Sequence, residues 1–154
     1  MSTIVWFRND LRLADQPALT AACARGEPVI PVYVHSVDGE GEWPLGAASK
    51  WWLHRSLASL DEQLRSLGLQ LILRQGDTLA ELQKLCAEVR ATAVFWGRRY
   101  EAASRARDEK IKSQLRQQGL TVESFNTALL WEPWTITTGS GDCYKVFTPF
   151  WRKC

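Results

Sequence analysis

Two arginines and two acids follow directly behind an apolar run near the start of the chain. Arg8, Asp10, Arg12 and Asp15 come after Val5-Trp6-Phe7. Fixed charges at the end of a buried strand can do one of two things. They can lock the loop with salt bridges, or they can face a ligand in the crevice beyond the strand. A second set, Gly97-Arg98-Arg99-Tyr100-Glu101, stands behind the apolar Ala93-Val94-Phe95-Trp96. Its position favours lining that same crevice, whereas Arg105 and Arg107 read as a solvated helix face. A third feature is the pair Trp51-Trp52. Tryptophan is large apolar surface that needs packing or a ligand. Such rings can stack on a flat molecule or pack on another domain.

Other chemistry is excluded or unsupported. His35 and His54 are isolated, and no Ser/His/Asp or Cys/His set is visible. The four cysteines, Cys23, Cys86, Cys143 and Cys154, form no CxxC pair, so neither a zinc site nor a disulfide framework is expected. Cys23 and Cys86 fall in helical patterns, where cysteine acts as a small hydrophobe. No glycine-rich turn follows the first strand, which disfavours a dinucleotide or triphosphate cradle. A generic nucleotide-binding α/β domain is a competing expectation that this absence weakens.

The elements that must position these residues follow from hydrophobic patterning. Residues 3–7, 28–35, 69–73, 93–96 and 120–125 read as strands. Residues 15–25, 47–67 and 102–118 read as helices, with another after Asp77 whose apolar positions are Leu79, Leu82, Cys86 and Val89. Asp15 and Asp77 are candidate N-caps, and Pro17 suits a first turn. In the second helix Leu53, Leu57, Leu60, Leu64 and Leu67 define a core stripe. Trp52 falls on its flank as peripheral core, and Trp51 nearly opposite. This alternation predicts a Rossmann-like, doubly wound, five-stranded parallel sheet of order 3-2-1-4-5 with helices on both faces. The order reverses between the first and fourth strands. Ligands are therefore expected behind them, around residues 8–13 and 97–101.

The chain has 154 residues with 45% hydrophobic content and a formal net charge of +2. Those figures suit one compact domain and give no charge argument for nucleic acid. There is no leader pattern and no membrane-length apolar run, so a monomeric, cytoplasmic protein is expected. From residue 127 the helical period is lost. Residues 134–138 read as a short strand and 138–142 as a turn. Thr148-Pro149 predicts extended backbone, because proline biases its predecessor away from helix. The aromatic content of residues 127–154 is too high for a free tail, so they are expected to wrap this domain or dock on another. The division is thus an α/β domain over 1–126 and an extended aromatic segment over 127–154.

The run from Val5 to Arg12, with Asp15 and Ala18-Leu19 behind it, resembles the opening signature of the photolyase/cryptochrome family. Residues 46–57, 97–108 and Lys145-Val146-Phe147-Thr148-Pro149-Phe150-Trp151 are similar to further blocks of that family, in the same order. The resemblance implies the N-terminal light-harvesting domain of a deoxyribodipyrimidine photolyase, an enzyme that uses light to split pyrimidine dimers in DNA. The C-terminal helical domain that binds FAD and the dimer would lie beyond Cys154. The fragment alone would then be inactive, and its partners would be that domain and, through the whole protein, damaged DNA. The corresponding domain of a cryptochrome photoreceptor is the alternative. The implied antenna residues are Asp10, His35, Lys50, Trp51, Trp52, Arg98, Arg99, Tyr100 and Glu101. Phe147, Phe150 and Trp151 would meet the FAD domain. The match to deazaflavin-binding members is partial, at Ser49, Arg99 and Glu101. Ala103 and Ser104 depart from one folate-binding pattern. The block from Ser49 to Leu53 is similar to relatives of plant cryptochromes, which favours methenyltetrahydrofolate. No metal is implied.

Overall fold

The computed structural model describes residues 1–36 and 44–154. Five strands, β1 (Ser2–Phe7), β2 (Val29–His35), β3 (Ile72–Gln75), β4 (Ala91–Gly97) and β5 (Thr121–Phe125), form one sheet. Its order is β3-β2-β1-β4-β5, and every pairing is parallel. This is the doubly wound arrangement that the strand–helix alternation predicts. β1 lies at the centre, with Ile4 opposite Ile30 on one side and Val94 on the other.

Alternate residues of each strand supply two cores. Ile4, Trp6, Val32, Val94 and Trp96 meet α3 (Thr78–Glu88) and α4 (Ala102–Gln117) through Leu82, Leu85, Ile111 and Leu115. On the opposite face Val5, Phe7 and Phe95 meet α1 (Pro17–Ala24) and α2 (Ala47–Ser66) through Ala18, Ala22, Leu60 and Leu64. All six residues of β1 are buried, as a strand covered on both faces requires.

Several boundaries differ from the sequence expectation, each for a local reason. β3 begins at Ile72 rather than Leu69. The Leu69 amide donates to the Leu64 carbonyl at the end of α2, and the Leu71 amide donates to Asp61 Oδ1 at 3.0 Å. Those donors are engaged before the ladder starts. Asp15 is not the cap of α1; it adopts φ 50°. Gln16 takes that place, its carbonyl accepting from the Thr20 amide. Asp77 does cap α3, its Oδ1 accepting from the Ala80 amide at 2.8 Å. Cys23 is exposed, whereas Cys86 is buried as expected.

α2 departs most in its packing. Only Leu60 and Leu64 are buried, and its first ten residues overhang the sheet without one buried side chain. Trp52 is therefore 69% exposed rather than peripheral core, and Trp51 is 60% exposed. Leu67 caps the helix and is exposed too.

The segment after β5 forms turns and one helix, α5 (Phe147–Lys153). Residues 134–138 are turn and bend, not strand. The 138–142 turn is present, closed by the Thr138 amide donating to the Asp142 carbonyl. Thr148-Pro149 lies within the first turn of α5 rather than in extended chain. A proline there removes an amide that has no helical acceptor anyway, so the helix tolerates it. Leu130, Trp131, Trp134, Phe147 and Trp151 are exposed. No helix among the described residues is long and apolar enough to cross a membrane.

Cys86 gives a direct readout of the core under α3. Burial pushes its thiol up from 9.0 to about 11. Three thiols, those of Cys23, Cys143 and Cys154, are exposed. Ellman's reagent is expected to label those three in the native chain and Cys86 only on unfolding. The unfolded thiol ionises at a lower pH than the folded one. The Cys86 contribution to stability is thus whole below pH 9 and lost towards 11. Urea melts across that range, compared with Cys86→Ala, measure it.

Candidate functional site

The site begins where β1 and β4 end side by side. Arg8, the first residue past β1, is only 5% exposed. Its Nη1 donates to Asp108 Oδ2 of α4 at 2.7 Å, and its Nη2 donates to the Gly97 carbonyl at the end of β4. The guanidinium also lies 4.6 Å from the centre of the Trp6 ring. Burial pulls its pKa below the ordinary value, and the Asp108 charge acts in the opposite direction. Arg107 joins the cluster. Its Nη2 stands 3.0 Å from Asp108 Oδ1, and its guanidinium lies 5.5 Å from the Trp6 ring centre. This corrects the reading of Arg107 as solvated; Arg105 is exposed as expected.

Asp10 is fixed from three sides. Its Oδ1 accepts from the Arg8 amide at 3.2 Å. Its Oδ2 and its carbonyl accept from Gln16 Nε2 at 2.8 and 3.1 Å. A Cβ on Gly97 would collide with Asp10 Oδ2 and Thr127 Oγ1. The missing side chain at residue 97 is what lets the β1 loop and the chain after β5 close over the end of β4. Arg12 completes the closure, its Nη2 donating to the Thr127 carbonyl at 2.7 Å.

Arg98 and Tyr100 form a second cluster. Arg98 pairs with Glu132, donates to the Ser124 carbonyl at 2.6 Å and lies 5.3 Å from the Trp134 ring centre. The Tyr100 hydroxyl donates to Glu132 Oε2 at 2.9 Å. Burial, together with the Glu132 carboxylate, raises the pKa of its phenol. These two residues clamp the 127–134 segment to the sheet. Arg99 pairs with Glu101 at 3.2 Å, which lowers the pKa of that carboxyl.

Three connected spaces surround Arg8. A cleft of about 870 Å³ runs beside the overhanging start of α2, walled by Trp51, Trp52, Leu53, Tyr33 and Arg12. A second, about 690 Å³, lies between residues 8–12 and 97–101 and includes Thr127. A pocket of about 60 Å³ sits under the end of β2, with His35, Lys50, Arg99 and Arg107 in its wall. All three lie at the carboxyl ends of the strands, the side where such folds take ligands, and the second lies between the ends of β1 and β4, where the sheet order reverses.

The family model for DNA photolyase matches residues 3–154. The chain belongs to the DNA photolyase family. It is 49% identical over 97% of its length to the deoxyribodipyrimidine photo-lyase of Agrobacterium fabrum, covering 30% of that protein. It is 43% identical over 99% of its length to cryptochrome-1 of Arabidopsis thaliana, covering 22% of that protein. The bacterial class III photolyase structure from Agrobacterium tumefaciens superposes with a TM-score of 0.90 at 48% identity, over 98% of this chain and 31% of that one. The chain thus spans about a third or less of the length of these relatives.

Within this photolyase-family domain, the candidate residues named from sequence fall into separate places. Trp51 and Trp52 share the large cleft with Asp10. His35 and Lys50 share the small pocket with Arg99. Arg98, Tyr100 and Glu101 border the second cleft, where Asp10 also appears. Arg98 and Tyr100 are already engaged by Glu132, so their hydrogen bonds hold the scaffold. Phe147 and Trp151 stack on each other with centroids 6.2 Å apart and lie exposed. Phe150, 37% exposed, meets Tyr144. Sequence reasoning missed Gln16, Arg107, Asp108 and Glu132. Charges on helices and in turns carry no signal of their partners until the fold joins them. Gly97 was legible only as a strand end.

Two substitutions test this reading. Gly97→Ala is expected to destabilise the chain by about 1–3 kcal/mol through forced displacement of Asp10 and Thr127. Asp108→Asn leaves the buried Arg8 without its counter-charge and is expected to cost about 3–5 kcal/mol. Urea melts read both, and losses under about 0.5 kcal/mol would contradict the network.

Proposed function

We propose that this chain is the N-terminal light-harvesting domain of a deoxyribodipyrimidine photolyase, holding methenyltetrahydrofolate in the cleft beside α2. The observation that carries the reading is that cleft, at the carboxyl end of β1, with the exposed indoles of Trp51 and Trp52 and the side chains of Arg12 and Tyr33 in its lining. Two exposed tryptophans on a helix that overhangs its own core are poorly placed for packing and well placed to cover a flat ring. The cleft falls within the volume range of small-molecule sites. Its lining joins apolar rings to a few fixed polar groups, which fits a pterin.

The chain's own residues would divide the work. Trp51 and Trp52 exclude water from the ring faces. Asp10, held by Gln16 and the Arg8 amide, offers a fixed carboxylate acceptor on the cleft wall. His35, Lys50, Arg99 and Glu101 stand further along the same carboxyl edge. When bound, the chromophore absorbs near-ultraviolet light and passes the energy to reduced FAD in the helical portion of the whole protein. The exposed Phe147, Phe150 and Trp151 are suited to contact that portion, and damaged DNA would be the partner of the whole protein. The 49% identity to a photo-lyase supports repair. The 43% identity to an Arabidopsis cryptochrome supports a second reading, a photoreceptor with the same antenna arrangement. An archaeal photolyase from Sulfolobus tokodaii, at 25% identity and a TM-score of 0.80, is described with two FAD molecules and a novel light-harvesting cofactor. A flavin is therefore the competing occupant of the cleft.

The test uses the whole protein. Reduced and illuminated with near-ultraviolet light, it is expected to revert thymine dimers; a flavin-loaded protein that reverts none is the cryptochrome outcome. Reconstitution with methenyltetrahydrofolate is expected to add a near-ultraviolet absorption band. The double substitution Trp51→Ala with Trp52→Ala should weaken that binding at least about tenfold without unfolding the domain. Unchanged affinity rejects the cleft as the folate site.

A further inference from the structure

We infer that Tyr100 is a redox-active residue: it reduces Trp134 after an outer-sphere one-electron oxidant has taken an electron from that indole, and its phenol proton passes to Glu132 in the same step. This goes beyond the chromophore reading and does not depend on what occupies the clefts. Its basis is the clamp beyond the end of β4, where four side chains of matched chemistry meet. The Tyr100 and Trp134 ring centres are 6.5 Å apart with their planes tilted by 39°, within the range of aromatic pairs in contact. The Tyr100 hydroxyl donates to Glu132 Oε2 at 2.9 Å. The Arg98 guanidinium pairs with Glu132 and lies 5.3 Å from the centre of the Trp134 ring.

Charge placement gives the electron its direction. A cation over an indole face is attracted to the ring's electron density. Once the ring has lost an electron, that attraction turns to repulsion, so Arg98 makes oxidised Trp134 a stronger oxidant. An oxidised phenol is a strong acid, and Tyr100 therefore gives up an electron readily only where its proton has an acceptor. The Glu132 carboxylate stands within the distance that proton transfer requires. Burial and the Glu132 carboxylate raise the pKa of the phenol, so at neutral pH the proton is in place to travel with the electron. Exposure sets the order of events. Trp134 is 58% exposed, whereas Tyr100 is half-buried and the Glu132 side chain is 16% exposed. An oxidant in solution meets the indole first. It takes one electron from Trp134 and leaves an indole radical cation. Tyr100 then gives one electron to that cation and its O–H proton to Glu132, leaving a neutral indole, a neutral phenoxyl radical and a protonated carboxyl group. A one-electron reductant such as ascorbate restores the phenolate oxygen, and the proton returns along the same hydrogen bond.

Laser-flash oxidation of the chain by photogenerated tris(bipyridine)ruthenium(III) tests the relay, followed by transient absorption and electron paramagnetic resonance. The expected sequence is an indole radical whose decay matches the rise of a phenoxyl radical. Tyr100→Phe should remove that phenoxyl signal and prolong the indole radical. Trp51, Trp52, Trp131 and Trp151 are exposed as well, so the contribution of Trp134 is read by difference. Trp134→Phe should fold normally, because the ring it replaces is at the surface, and should lose most of the phenoxyl yield. Glu132→Gln keeps an acceptor for the Tyr100 hydroxyl but no base for its proton, and should slow the phenoxyl rise at least about tenfold. Thermal melts establish that each variant is folded. The native chain supplies a reading that needs no variant: with Glu132 as the acceptor, the rate is independent of buffer-base concentration. A rate that climbs with buffer base overturns the proposal, because the proton then leaves to solvent. A phenoxyl yield unchanged by Tyr100→Phe or by Trp134→Phe overturns it too, since another phenol or direct oxidation would then account for the signal.

Discussion

The ion pair between Arg8 and Asp108 joins the end of β1 to α4, and the rest of the carboxyl edge depends on it. A doubly wound sheet must open a crevice where its order reverses, because the crossovers on either side of β1 run to opposite faces. Nothing in the sheet ladder closes that gap. Arg8 spans it with three kinds of contact: an ion pair to α4, a donated bond to the Gly97 carbonyl and a face-on approach to Trp6. Its burial makes each partner costly to lose, since an uncompensated interior charge outweighs several ordinary contacts. The crevice is therefore held open at one width by the same group that lines it.

Other features follow from that anchor. With Arg8 fixed, its amide and Gln16 set the Asp10 carboxylate, and Asp10 in turn requires that residue 97 have no side chain. Thr127 occupies the remaining space over Gly97, so the chain leaving β5 is drawn across the site before it reaches the Arg98–Glu132–Tyr100 clamp. A single choice at residue 8 thus propagates through the β1 loop, the end of β4 and the first residues of the aromatic segment. Electrostatics sets the positions, and apolar burial elsewhere supplies the driving force.

Much of the fold was legible because strands and helices carry their periodicity locally. The Leu60 and Leu64 stripe of α2, the Asp77 cap of α3 and the five apolar strand runs needed no tertiary information. The misreadings arose where a distant or competing partner decides. Leu69 and Leu71 have strand-like side chains, but their amides are bonded to α2. Trp52 lies on the correct side of its helix for core packing, but the sheet does not extend beneath it. Periodicity reports which face is apolar and says nothing of how far the opposing layer reaches. Pro149 was read by its bias on Thr148, and its place in a first turn, where its missing amide costs no helical bond, was not visible. For the site, Arg98 and Arg99 are adjacent and chemically alike, yet Arg98 is engaged by Ser124 and Glu132 while Arg99 reaches the small pocket. Only the contacts separate those roles.

The uneven exposure of the aromatics is the last constraint. Trp6 and Trp96 pack edge to face in the core with centroids 5.5 Å apart, while Trp51, Trp52, Trp131, Trp134, Phe147 and Trp151 stand at the surface. Apolar area of that size outside water contact is worth roughly 25 cal/mol per Å², so leaving it uncovered forgoes stability the domain does not otherwise recover. The exposed rings also fall in two groups, one on the overhang of α2 and one on the segment after β5. In the proposed reading two separate coverings fit that division: a flat ligand against α2, and the helical portion of a whole photolyase against α5. In the proposed reading the tryptophans supply binding area and the buried charges supply orientation. A light-harvesting group needs both, because energy transfer depends on a fixed angle as well as on proximity. Area alone would let a ring slide along the cleft wall, and only directional partners such as Asp10 and Arg8, themselves immobilised by the fold, can stop it.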